Sequence, residues 1–119
     1  MKIHNFLECD MKNEVIHEGK GMCMHATVFE EKEIEAPVRF INYTIIPPAG
    51  SFGLHAHGND NEFYVLLEGE GVYQQDGQEI KVKKGDIMMN APYSEQGIYN
   101  TGEKNMELLV FEVDGGFKV

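Results

Sequence analysis

The chain has 119 residues, which is the length of one ordinary domain and enough to enclose a core without disulfide staples. It carries 20 acids against 10 bases, a formal charge of −10, with Arg39 the only arginine and the lysines scattered apart from Lys81, Lys83 and Lys84. Phosphate backbones and anionic lipid surfaces are both gripped by basic stripes, so this balance argues against nucleic acid and membrane as partners.

The opening stretch MKIHNFLECDMKNEV is broken by acids and polar groups where a signal peptide needs an apolar block. The longest apolar run, Leu108 to Phe111, falls far short of the roughly 20 residues of a membrane span. Cys9 and Cys23 are too few for a disulfide framework. The expectation is a soluble cytoplasmic protein with reduced thiols.

Residues 1–21 read as an N-terminal arm with one short strand, and residues 22–119 as a single domain without an internal linker. Met22 to Phe29 is free of breakers and gains β-formers towards its end. The charge run Glu30 to Glu35 suits a solvated turn or strand end. Val38 to Ile46 is β-branched and aromatic, and Pro47–Pro48–Ala49–Gly50 stops it. Strand and turn then alternate: Glu62–Leu67, Gly69, Val72–Gln75, the Asp76–Gly77 hairpin signal, Ile80–Lys83, Lys84–Gly85–Asp86, and Ile87–Met89. The Ala91–Pro92 turn, Gln96–Asn100, Thr101–Gly102 and Met106–Val113 complete the series. Short strands at this spacing predict an all-β sandwich or barrel.

The chemistry concentrates at His55–Ala56–His57 and Glu62. In a strand, residues two apart share a face, so both imidazoles project together. The short loop from Gly58 to Asn61 lets Glu62 return to the same point. Two imidazoles and one carboxylate suit a divalent ion and form the donor set of non-haem iron triads and some zinc sites. A bare His-x-His pair on a strand is more often two surface histidines; its surroundings decide here.

Those surroundings are Gly50-x4-His55-x-His57-x4-Glu62-x6-Gly69, followed by Gly85–Asp86, Pro92 and Gln96–Gly97–Ile98–Tyr99–Asn100. The pattern resembles the two motifs of the cupin superfamily, with one residue fewer between Gly50 and His55 and Ser94 where a glycine is usual. The resemblance spans residues 38 to 113, and the His17-to-Gly21 segment is also similar to small stand-alone cupins. It implies a double-stranded β-helix, the jelly-roll cupin barrel. It also implies one divalent metal ion (iron, manganese, nickel or zinc) on His55, His57 and Glu62. Gln96 stands where the family usually carries its last histidine ligand. It can ligate through its oxygen, hydrogen-bond a metal-bound water or substrate, or mark a barrel that has lost its metal.

Tyr43, Tyr64 and Tyr73 are the candidates to line the pocket and offer a hydroxyl, with Tyr64 and then Tyr43 expected to touch a substrate because Tyr64 shares strand parity with Glu62; ordinary strand packing is the alternative for all three. His25 reads as a satisfied strand histidine, and His4 and His17 as exposed or at a subunit interface. Met22, Met24, Met88, Met89 and Met106 read, with Cys23, as filler of the barrel interior rather than a soft copper site. Cys23 has no base partner and is not expected to be a nucleophile. No catalytic base stands out. The resemblance implies either a metal-dependent enzyme on a small polar molecule, of dioxygenase or sugar isomerase/epimerase type, or a non-catalytic small-ligand or metal-binding module. It also implies a homodimer.

Overall fold

The computed structural model describes residues 1–115. Ten strands follow one another: β1 (Lys12–Glu14), β2 (Cys23–Phe29), β3 (Val38–Ile46), β4 (Ser51–Ala56), β5 (Asn61–Glu68), β6 (Glu70–Gln75), β7 (Gln78–Lys83), β8 (Ile87–Asn90), β9 (Glu95–Asn100) and β10 (Met106–Val113). One-turn 3-10 helices at Phe6–Glu8 and Glu31–Glu33 are the only helical pieces among the described residues. The acidic run therefore forms a helical turn, closed by a capping box in which Glu30 and Glu33 serve each other's backbone N–H.

The strands form two antiparallel sheets, ordered β1-β2-β3-β10-β5-β8 and β4-β9-β6-β7. Alternation sets which side chains meet between them. Along β10, Met106, Leu108, Val110 and Glu112 are buried and the residues between them are not. Glu62, Tyr64 and Leu66 do the same on β5. The apolar ones, with Ile46, Phe52, Ile98 and Met88, make the core of a jelly-roll barrel.

The turns follow their chemistry. Asp76 and Gly77 both take positive φ, 48° and 82°, which gives the two-residue hairpin between β6 and β7 a twist matching its strands. Asn100 is buried: its amide donates to the carbonyls of Ile46 and Lys104, and its oxygen accepts from Gly102 N–H, locking the turn after β9.

The structure refines one expectation and corrects another. The first concerns how the arm is attached: its short strand is β1, which pairs with β2 as the edge strand of the larger sheet. The methionines also divide: Met88 and Met106 are buried with Cys23, whereas Met22, Met24 and Met89 are exposed. Their places follow strand parity, which sends alternate residues outward. Burial also pushes the Cys23 thiol up to about 11, so it stays protonated and unreactive near neutral pH.

Candidate metal centre

The His-x-His pair sits where β4 leaves its ladder. Phe52 pairs with Ile98 and His55 with Gln96, so three steps on β4 match two on β9. This bulge accommodates Gly53 and Leu54 opposite Gly97 and keeps both Phe52 and His55 facing inward. His55 consequently lies directly across from Gln96, with Nε2 and the Gln96 amide nitrogen 3.4 Å apart. The His55 Nε2 to Glu62 Oε1 distance is 3.8 Å. His57 follows just past the strand end.

Each imidazole uses its other nitrogen on the protein. His55 Nδ1 lies 2.8 Å from the Gly53 carbonyl, and His57 Nδ1 lies 3.1 Å from Asp60 Oδ1. A carbonyl oxygen only accepts, so the hydrogen of a neutral His55 is fixed on Nδ1 and the lone pair is left on Nε2. The same holds for His57 against an ionised Asp60. His57 Nε2 is buried and has no hydrogen-bond partner. Burial draws the His55 ring down, but the Glu62 carboxylate and the Gly53 carbonyl outweigh it and hold it above the ordinary histidine value.

Glu62 lies on the middle strand of three, facing Asn90 on β8 and Glu112 on β10. Gln75 Nε2 donates to the Tyr73 hydroxyl at 2.7 Å, Tyr73 donates to Asn90 Oδ1, and Asn90 Nδ2 lies 3.4 Å from Glu62 Oε1. This chain fixes the carboxylate from behind. His57, Asp60 and Glu112 form a second convergence, with one donor atom from each within 4.8 Å of the others. Arg39 supplies the neighbouring positive charge, 3.9 Å from Glu112 and bonded to Asp114. The four residues expected as ligands therefore lie in two groups: His55 with Glu62 and Gln96, and His57 with Asp60 and Glu112.

Tyr64 is fully buried and its hydroxyl has no hydrogen-bond partner. Burial, then the charge of Glu62, raises its pKa well above the ordinary tyrosine value. It lines a cavity of about 90 Å3 with Glu62, His25, Asn42, Thr44 and His17. Tyr43 does not reach this cavity. It belongs to the outward parity of β3, bonds Glu107 and packs on Phe6 at 4.7 Å. His25 is satisfied by Thr44 Oγ1 at 2.9 Å, and His4 pairs with Glu33 at 2.8 Å.

Asp60, Asn90 and Glu112 were not singled out in the sequence, although parity marks them. Asp60 lies two residues before Glu62, Asn90 two after the inward Met88, and Glu112 two after the inward Val110.

The cupin domain model matches residues 42–112, more than half of the chain. The chain belongs to the cupin family. It is 32% identical over 91 residues to the oxalate-binding protein of Thermotoga maritima, spanning 76% of this cupin and 75% of that protein. A crystal structure of a predicted oxalate decarboxylase from the same organism superposes with a TM-score of 0.91 at 26% identity, covering 94% of this chain and 98% of that one. The polyketide cyclase RemF of Streptomyces resistomycificus shares the fold at 16% identity, with a TM-score of 0.80 over 95% of this cupin and 79% of that chain. Cupins typically bind a metal ion, and this chain places histidines and acids together at one end of its barrel.

Proposed function

We propose that this cupin holds one divalent metal ion on His55, His57 and Glu62, with Gln96 as an oxygen donor and the His57 ring drawn towards the His55–Glu62 pair around the ion, and binds a small carboxylic acid there. The observation that carries the reading is the pair of imidazoles whose Nδ1 atoms are occupied by protein acceptors. This leaves Nε2 free, and that of His57 is buried without a partner. Metal-binding histidines are oriented in this way, with the second nitrogen donating to a carboxylate or carbonyl. Iron, manganese, nickel and zinc all accept two imidazoles and a carboxylate.

Gln96 fits through a turn of its amide. Ser94 Oγ lies 2.7 Å from the Ala91 carbonyl and 3.0 Å from Gln96 Oε1, but its single hydrogen serves only one of them. Rotating the Gln96 amide by half a turn lets its NH2 donate to Ser94 Oγ. The oxygen then faces His55 and the metal, and Ser94 keeps its hydrogen for Ala91.

A bound ion supplies a Lewis acid that polarises the oxygens of an acid. The chain's own residues set the ligand's place. A small cavity beside Glu62, lined by Tyr64, Asn42, Thr44 and His17, offers polar groups to a compact acid. The Thermotoga maritima matches in sequence and in structure both carry oxalate in their names and support the same class. Tyr64 provides an unpaired hydroxyl inside the cavity. The enzyme reading, on a small acid, is preferred on the strength of these relatives. No general base other than the proposed ligands faces the cavity with a free carboxylate, and this keeps a non-catalytic binding module as the second reading.

The partner in assembly is a second copy. The outward face of the larger sheet is apolar, with Phe63 and Phe111 stacked at 4.9 Å and Ile41, Leu109 and Val65 beside them only half-buried. No helix among the described residues is long and apolar enough to cross a membrane, and a cytoplasmic setting is proposed from the reduced-thiol reading.

Elemental analysis of tag-free protein after manganese reconstitution, with calorimetric titration of oxalate, tests the site. Near-stoichiometric metal, lost in His57→Ala, and oxalate binding only by loaded protein are expected. A wild type that retains no metal sinks the proposal.

A further inference from the structure

A third imidazole reaches this site from outside the barrel motifs. His17 stacks on His55, with ring centroids 3.5 Å apart and planes 9° from parallel, and it lines the cavity that holds Glu62 and Tyr64. Backbone bonds hold it there. The Ile16 carbonyl accepts from Gly19 and Gly53, Lys20 O accepts from Ser51 N–H, and Lys20 N–H donates to Ser51 Oγ. This close approach requires glycine on both sides. A Cβ on Gly53 would come within 1.9 Å of His17 O, and one on Gly19 within 2.2 Å of Ser51 O.

The arm also bends sharply to deliver this ring. His17 and Glu18 have φ of 51° and 56°, two consecutive non-glycine residues in the left-handed region. L side chains hold that conformation only where the surroundings fix it, and it concentrates at ligand sites. His4, His25, His55 and His57 each have a hydrogen-bond partner for a ring nitrogen. Among the described residues none is found for His17.

The stacking geometry separates two roles for such a ring. Imidazole lone pairs lie in the ring plane. Those of two nearly parallel rings 3.5 Å apart do not converge on one point about 2.1 Å from each, as a shared ion requires. His17 is thus placed to meet what the metal holds rather than the metal itself. An acid entering the cavity meets Glu62 at once, so it needs the ion's charge and neutral donors around it. Tyr64 offers one donor inside, and His17 offers an N–H at the mouth.

We infer that His17 is a ligand-binding residue for a small carboxylate, its N–H donating to an acid oxygen at the mouth of the cavity while its ring braces His55. The inference rests on the metal and acid reading above. The experiment titrates, by calorimetry, manganese into metal-free full-length protein and then oxalate into the manganese-loaded form, for wild type, His17→Ala and His17→Asn. Asparagine keeps an N–H donor and tolerates left-handed backbone. Manganese affinity within twofold of wild type in both variants is expected, with oxalate binding weakened about tenfold in His17→Ala and largely retained in His17→Asn. Three outcomes overturn it: oxalate affinity unchanged in His17→Ala, manganese affinity falling along with it, or His17→Asn binding no better than His17→Ala. A wild type that takes up manganese but no oxalate overturns the acid ligand and this role together. A wild type that takes up no manganese fails earlier, at the metal site.

Discussion

His57 presents one nitrogen to Asp60 and leaves the other buried and free, so Asp60 orients the ring and sets its tautomer. Removing such a partner typically costs 10–100-fold in metal affinity. Asp60→Asn is therefore expected to weaken manganese binding by about that factor while His57→Ala abolishes it; calorimetry checks both, and equal affinity in Asp60→Asn would remove Asp60 from the site. The raised pKa of His55 adds a pH dependence. Protonated His55 gains from Glu62 in the folded protein, so in metal-free protein this contribution is complete below the ordinary value of 6.5 and disappears as pH rises through the raised value. Metal needs the neutral ring, so its stabilisation runs the other way. The Tm difference between loaded and metal-free protein should widen from pH 5.5 to 8 in thermal unfolding at fixed free metal, and a flat difference would contradict His55 as a ligand. At this scale spacing and parity in the sequence single out His55, His57, Glu62 and Tyr64 as candidates, and parity alone places Glu62 and Tyr64 on the inward face of β5. Tyr43 was not placeable, because its inward or outward sense depends on the pairing of β3 with β10, which no local pattern states.

The strands β3 and β10 could be read to their ends because Pro47–Pro48 stops one and the other is a β-forming run that follows the Thr101–Gly102 turn. The bulge in β4 could not. It exists only relative to the register of β9, and Gly53 alone does not announce it. The same glycine carries the docking of the arm, since a Cβ there collides with the carbonyl of His17. Gly53→Ala should therefore displace residues 16–20 rather than unfold the barrel, at a cost of about 2 kcal/mol, within the range of strained backbone substitutions. Limited proteolysis checks this: new cleavage between residues 14 and 21 with an intact barrel fragment is expected, and an unchanged digestion pattern would show that the arm is held by other means. Composition could not reveal this docking, because the arm's own residues are polar and its anchors are backbone atoms of another segment.

Across the molecule, charge and apolar surface are segregated. Three buried acids, Asp60, Glu62 and Glu112, lie at the site end of the barrel, with the chain's only arginine beside them. One arginine faces three buried carboxylates, and burying negative charge in excess is costly, so this end gains most from a bound cation. The outward face of the larger sheet lacks such groups at its centre and ends at β8, where Ile87 and Met89 stand 64% and 57% exposed. Burying such a face against its twofold copy is the simplest cover, because a self-complementary patch closes after one contact. The double variant Ile87→Glu with Met89→Glu places charge on exposed positions, so the fold itself should survive. Sedimentation equilibrium is expected to give about twice the 13.5 kDa chain mass for wild type and the single-chain mass for the variant. A monomeric wild type would mean that this face stays open to solvent or meets a different partner. Because the face lies on the outer side of β5 and β10, whose inner sides carry Glu62 and Glu112, the dimer variant should retain metal, though opening the interface lets both strands fray sooner. Metal affinity unchanged in the monomeric variant, with a Tm lowered in both the loaded and metal-free forms, is the expected signature of an interface that supports the site's strands without contributing to its donors.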